Sequence, residues 1–238
     1  MNYTFSDIIN SQNYKKVGSK FLFKYFFIPI AWPFTWIFAN LGISPNQATF
    51  LRFMIHIVAF IFLIFNLKIT GYFLIYLALV LDCVDGQIAR LTDNASYFGK
   101  FFDGWIDCIF EISFCIFIAY TIRQDDTNIM LIALIASLMN ALYWISLIRF
   151  ALHRKFQKNY KFSKLEKKLF KILDERILVD WYDIKYFIFP FFFILDLEKI
   201  FIIILLIINS LLFLIYSLQK LYIGYFVFNV HKVSSSSK

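Results

Sequence analysis

Four aspartates, Asp82, Asp85, Asp103 and Asp107, stand at spacings that gather their carboxylates if the chain around them is helical. From Leu81 to Glu111 the sequence reads LDCVDGQIARLTDNASYFGKFFDGWIDCIFE. Asp82, Asp85, Gly86 and Ala89 fall at i, i+3, i+4 and i+7, one face of a helix, and Gly99, Asp103 and Asp107 fall at i, i+4 and i+8, one face of the next. A short turn around Thr92 to Ser96 makes the two helices antiparallel neighbours, so four carboxylates point into one cleft. Such a cluster opposes itself: like charges ~4 Å apart repel by about 4 kcal/mol at an effective dielectric of 20. Divalent cations remove that repulsion, and an oxygen-only donor set calls for Mg²⁺, Mn²⁺ or Ca²⁺ rather than zinc. Gly86 and Gly99 leave the backbone open beside the acids, where a ligand can approach closely. A plainer account has the acids as solvated helix ends paired with Arg90 and Lys100. It suits one or two of them but not Asp107, two turns inside an apolar helix on the same face.

The elements that position these acids lie in lipid. Of 238 residues 61% are hydrophobic and 21% aromatic, with 32 Phe, far less polar surface than a soluble domain of this length needs. Long apolar runs recur along nearly the whole chain, which predicts an all-α integral membrane protein. An acid at a helix centre in the bilayer costs about 2.5–3.5 kcal/mol, so acids retained there have work to do. The net charge of +8 invites nucleic acid as a partner, but the basic residues sit in the gaps between apolar runs. There they set topology and meet anionic headgroups, and no nucleic acid is expected. Cys83, Cys108 and Cys115 fall inside apolar segments without ligand spacing and read as small buried hydrophobes, with no disulfide implied.

Six crossings are expected, at about Gln47–Leu67, Tyr72–Gln87, Phe101–Ile122, Ile129–Leu152, Ile177–Leu195 and Ile200–Leu221. Each is near the ~20 residues that span ~30 Å of hydrocarbon. Before them, Phe21 to Leu41 carries Lys24, Pro29 and Pro33 among Phe and Trp, which suits a helix in the headgroup layer. The N-terminus lacks the form of a cleavable signal peptide. The connections Lys68–Gly71, Arg123–Asn128 and Asp196–Lys199 hold one basic residue each, whereas Lys15, Lys16, Lys20 and Lys24, and the stretch from Arg154 to Arg176, are rich in them. The positive-inside bias then places both termini and the acid cluster in the cytosol. The expected division is 1–45, a cytosolic segment with the interfacial helix; 46–228, the six-helix domain; and 229–238, a polar tail.

The spacing D-x2-D-G-x2-A-R-x8-G-x3-D-x3-D resembles that of the CDP-alcohol phosphotransferase family. Every fixed position is present: Asp82, Asp85, Gly86, Ala89, Arg90, Gly99, Asp103 and Asp107. The six-crossing plan, the interfacial helix and the segment GISPNQATFLR (Gly42 to Arg52) are similar to the family too. The resemblance implies transfer of a phospho-alcohol from a CDP-linked donor to an acceptor hydroxyl, with release of CMP. It implies that Asp82, Asp85 and Asp103 bind a metal on the donor pyrophosphate, with a second ion sharing Asp103 and Asp107. It makes Asp107 the general base, lines the CDP site with Gly86, Ala89, Arg90 and Gly99, and suggests a homodimer. Two Mg²⁺ or Mn²⁺ ions suit the chemistry, because paired metals stabilise both attacking and leaving oxygens in phosphoryl transfer. CDP-diacylglycerol and phospholipid synthesis are the leading version. The alternative uses a soluble polyol or a surface-glycan precursor, since the wording DGQIARL and GKFFDGWID departs slightly from the commonest lipid synthases.

Other polar residues have two readings. Asn46 and Thr49 either meet the nucleotide or belong to a helix start capped by Ser44 or Asn46, with Arg52 reaching a neighbouring carboxylate. His56 reads as structural, and Glu111 continues the aspartate face one turn deeper to orient a ligand or a partner helix. Arg149 and Arg154 receive an acidic acceptor group or anchor the helix end. Phe162, Leu165, Leu169 and Ile172 mark an amphipathic surface helix. A cation channel or transporter is the rival class, but a conduction path needs polar groups through the full bilayer depth, and the outer halves of these helices are nearly all apolar.

Overall fold

The protein was analysed as a computed structural model, which describes residues 3–11, 23–123, 128–156 and 177–223. Among these the chain is entirely helical: α1 (Phe5–Ser11), a π-helical turn (Phe23–Phe27), α2 (Ile28–Asn40), α3 (Pro45–Ile64), α4 (Lys68–Leu91), α5 (Tyr97–Thr121), α6 (Ile129–Phe156), α7 (Ile177–Ile194) and α8 (Glu198–Ile223).

Local chemistry sets the helix starts that matter for the acids. Ser44 caps α3 in a reciprocal box: its hydroxyl accepts from the Gln47 amide at 3.3 Å and the Gln47 side chain accepts from the Ser44 amide at 2.8 Å, with Pro45 in the first turn. Ser96 caps α5 by accepting from the Gly99 amide at 2.9 Å. Between α4 and α5 Asp93 takes a left-handed conformation (φ 50°), which turns the chain back in a few residues.

The α3–α4 hairpin is the spine of the bundle. Gly71 lets the two helices approach closely, because a Cβ there would lie 2.4 Å from Leu63 Cδ2 and 3.2 Å from the Ala59 carbonyl oxygen. Helix α2 lies across α4, α5 packs on α3 and α6, and α8 packs on α6. Gln87 pins α2 to α4: its amide donates to the Ile28 carbonyl at 3.1 Å, and Thr35 donates to its oxygen at 2.6 Å. The outward faces are apolar: Leu131, Leu138 and Ile145 of α6 and Ile207, Leu211, Leu214 and Leu218 of α8 are all exposed. A lipid solvent accounts for that pattern, and the chain is a multi-pass membrane protein.

The expected six crossings need correction. Among the described residues four helices are long and apolar enough to cross: Pro45–Ile64, Lys68–Leu91, Ile129–Ser146 and Glu198–Leu218. The third expected crossing is helical as α5, but it carries Lys100, Asp103, Asp107 and Glu111 and is not among the four. The fifth, α7, contributes only Ile184–Ile194 as a short apolar helix, with Pro190 inside it. Apolar runs near the spanning length pointed to both. The connection expected at Lys68–Gly71 is the first turn of α4, and the actual turn, after Ile64, has left-handed Asn66 (φ 60°). Helix α2 has 13 residues, roughly 20 Å and short of the ~30 Å a crossing needs. The amphipathic stretch around 162–172 and the tail 229–238 lie outside the described residues.

Candidate metal centre

Helix α4 contributes Asp82 and Asp85 and helix α5 contributes Asp103 and Asp107, the two running antiparallel from the turn at 92–96. One carboxylate oxygen from each of Asp82, Asp85 and Asp103 lies within 4.8 Å of the others. Asp107 stands beside this group, joined to it through Arg52 of α3. The Arg52 guanidinium pairs with Asp82, with Asp103 Oδ1 at 3.0 Å and with Asp107 Oδ1 at 3.2 Å, and donates to the Asp103 carbonyl at 3.2 Å. Its side chain is 1% exposed. Asp85, also buried, accepts from the Thr49 hydroxyl at 2.7 Å.

Beside the acids opens a cavity of about 170 Å³. Of the residues expected at a nucleotide, Asn46, Thr49, Gly86, Ala89 and Gly99 line it; Asn94, Ser96 and Lys100 line it too and were not foreseen. Arg90 is outside the lining, and its guanidinium lies along Gly86, where a Cβ would sit 3.3 Å from Nη1. At Gly99 a Cβ would meet Asn46 Oδ1 at 2.6 Å and Ser96 Oγ at 3.0 Å. That close approach of α3 to α5 is the local reason for a glycine at this position. Asn46 is therefore part of the wall rather than the cap, which is Ser44. The side chains of Arg149 and Arg154 lie outside the described residues.

These residues fit a hard divalent cation. The donors are all carboxylate oxygens, and among the described residues Arg52 sets one positive charge against three of the acids, leaving an excess of negative charge in a partly buried site. Asp82, Asp85 and Asp103 are the residues that would hold the ion.

One feature eluded the sequence. Arg52 was expected on a single carboxylate and instead ties three helices together; Thr49, Arg52 and His56 at i, i+3 and i+7 were the available signal. His56 is buried and stacked on Phe110 at 4.0 Å between centroids, and neither ring nitrogen has a partner among the described residues. Glu111, the next acid along α5, holds partner helices: Asn140 of α6 donates to its Oε2 at 3.2 Å, and Lys185 and Tyr186 of α7 bond its two oxygens.

The sequence model of the CDP-alcohol phosphatidyltransferases matches residues 42–225. An archaetidylinositol phosphate synthase of Pyrococcus horikoshii is 35% identical over 96 residues, which is 40% of this chain and 51% of that protein. A bifunctional IPC transferase and DIPP synthase of Thermococcus kodakarensis is 29% identical over 99 residues, 41% of this chain and 23% of that protein. The similarity thus spans about half the length of the first relative and less than a quarter of the second.

Proposed function

This chain belongs to the CDP-alcohol phosphatidyltransferase family, and on that premise we propose that it moves a phospho-alcohol from CDP-diacylglycerol to an acceptor hydroxyl. Asp82, Asp85 and Asp103 would hold a metal ion, whose positive charge would meet the donor's pyrophosphate. Asp107, beside that group on the Arg52 guanidinium, takes the proton of the acceptor hydroxyl. The acceptor oxygen then bonds to the phosphorus bearing the donor's alcohol, the bond from that phosphorus to the CMP oxygen breaks, and CMP leaves with the electron pair. Asn46, Thr49, Gly86, Ala89 and Gly99 hold the nucleotide in the cavity they line. Two Mg²⁺ or Mn²⁺ ions, when bound, neutralise charge on the attacking and leaving oxygens. The single observation that carries this reading is the three-carboxylate group, two of whose members, Asp85 and Asp103, line that cavity. One relative is named for making archaetidylinositol phosphate, which supports a lipid product.

Release of CMP from CDP-diacylglycerol by the purified protein, with polyol and lipid acceptors supplied in turn, tests the reading. Activity is expected to vanish in EDTA, to return with Mg²⁺ or Mn²⁺, and not to return with Zn²⁺ alone. Full turnover after thorough chelation overturns the metal mechanism.

The cluster and the N-terminal segment are proposed to face the cytosol, supported by the lysines at 15, 16, 20 and 24. With Cys108 replaced by Ala, a membrane-impermeant maleimide should label Phe65→Cys in intact cells and Tyr97→Cys only after permeabilisation. Both positions are well exposed, at 72% and 96%, so the opposite pattern reverses the orientation.

A further inference from the structure

We propose that Arg52 is a resident counter-cation of the acid cluster, holding Asp82, Asp103 and Asp107 together before metal arrives and yielding Asp82 when metal binds. This rests on the metal-centre reading above. The acids belong to α4 and α5, but the guanidinium that joins them comes from α3, and its side chain is 1% exposed while theirs are 27–38% exposed. Arginine keeps its charge at any pH the protein meets, so a buried guanidinium requires its carboxylates as much as they require it. Without it, three helices would converge on four mutually repelling acids.

The same residue opposes the metal. Asp82 and Asp103 belong both to the three-carboxylate group and to the set paired with Arg52. Each therefore has two claimants, and a dication entering the group meets a fixed positive charge on its own ligands. Metal alone binds weakly for that reason. The donor's pyrophosphate brings negative charge of its own, which offsets the repulsion, so metal and nucleotide strengthen each other's binding. The coupling is reciprocal by linkage. Arg52 thereby makes the site load with metal and donor as a unit.

The test uses the full-length protein in detergent, Mn²⁺ as the probe and the loss of the free-ion EPR signal as the readout, with and without CDP. In the wild type CDP should tighten Mn²⁺ by at least ~10-fold, the two binding events being coupled. Arg52→Gln should bind Mn²⁺ alone at least ~10-fold more tightly than wild type, since a positive charge has left the ligand shell. It should also show less coupling to CDP and a lower unfolding temperature without metal. Arg52→Lys, which keeps the charge, should stay near wild type in Mn²⁺ affinity.

Should Arg52→Gln not fold, Arg52→Gln with Asp82→Asn removes one charge of each sign. Its metal-free unfolding temperature should lie near that of wild type, and an unfolded or strongly destabilised double variant overturns the counter-cation. Unchanged or weaker Mn²⁺ binding in Arg52→Gln makes Arg52 an organiser of the ligands and sinks the proposal while leaving the metal centre intact. Absence of CDP coupling in the wild type sinks it as well. A wild type that binds no Mn²⁺ with or without CDP overturns both readings.

Discussion

Helix α5 carries acids in two settings one turn apart, a buried Glu111 and a partly exposed Asp103 and Asp107, and their charge is met in opposite ways. At Glu111 every side-chain oxygen has a donor: Lys185 and Asn140 meet Oε2 and Tyr186 meets Oε1, and the carboxylate is 1% exposed. One acid faces one cation, and the site is closed. At Asp103 and Asp107, among the described residues, one guanidinium serves three carboxylates that remain partly exposed, and Asp103 lines the cavity. A balanced, closed pair ties helices together, whereas an unbalanced, open cluster has charge left over for a ligand. Acidity and helical phase are common to both. Stoichiometry and access separate them.

The largest effect is expected where the balanced pair is broken. Glu111→Gln leaves Lys185 charged and buried, and should cost about 3–5 kcal/mol of stability in detergent unfolding. Replacing both Glu111 and Lys185 by Met should recover most of that loss, and Mn²⁺ affinity should change little in either variant. A double replacement as unstable as the single one would mean that the pair is not what joins α5 to α7.

The unbalanced cluster should respond in chemistry instead. Asp107→Asn keeps the size and an oxygen but removes the base, so turnover should fall at least ~10²-fold with CDP-donor binding retained and stability little altered. Asp82→Asn should weaken metal-dependent donor binding itself. Titrating donor against Mg²⁺ for the two variants checks this, and equal loss of binding in both would leave Asp107 a ligand only.

The smallest effect concerns the cavity wall. Gly99→Ala adds a methyl that pushes the Asn46 amide, at 2.6 Å, into the space beside the acids. The donor KM should rise about five-fold, equivalent to ~1 kcal/mol, with an unchanged or slightly higher unfolding temperature because alanine favours the helix. A fall in stability without a change in KM would make Gly99 a packing residue rather than part of the site's wall.

The acids themselves were legible because the α-helix has a fixed period. Asp82 and Asp85, then Asp103 and Asp107, share faces wherever the chain is helical, and the turn at 92–96 is too short for anything but an antiparallel return. Hydropathy likewise sufficed for a membrane protein. The number of crossings did not follow: α5 carries Lys100, Asp103, Asp107 and Glu111 and is not among the four helices apolar enough to span, and the described part of α7 offers a short apolar helix, Ile184–Ile194. Nor did the choice at Glu111 follow, since its place on the Asp103–Asp107 stripe allowed a ligand or a partner helix, and the packing gives the partner helix. The cation of Glu111 is 74 residues away on another helix, and Arg52 reaches acids 30 to 55 positions further on from a third. Periodicity places a side chain on a face of its own helix; which charge it meets there is decided only when the helices pack.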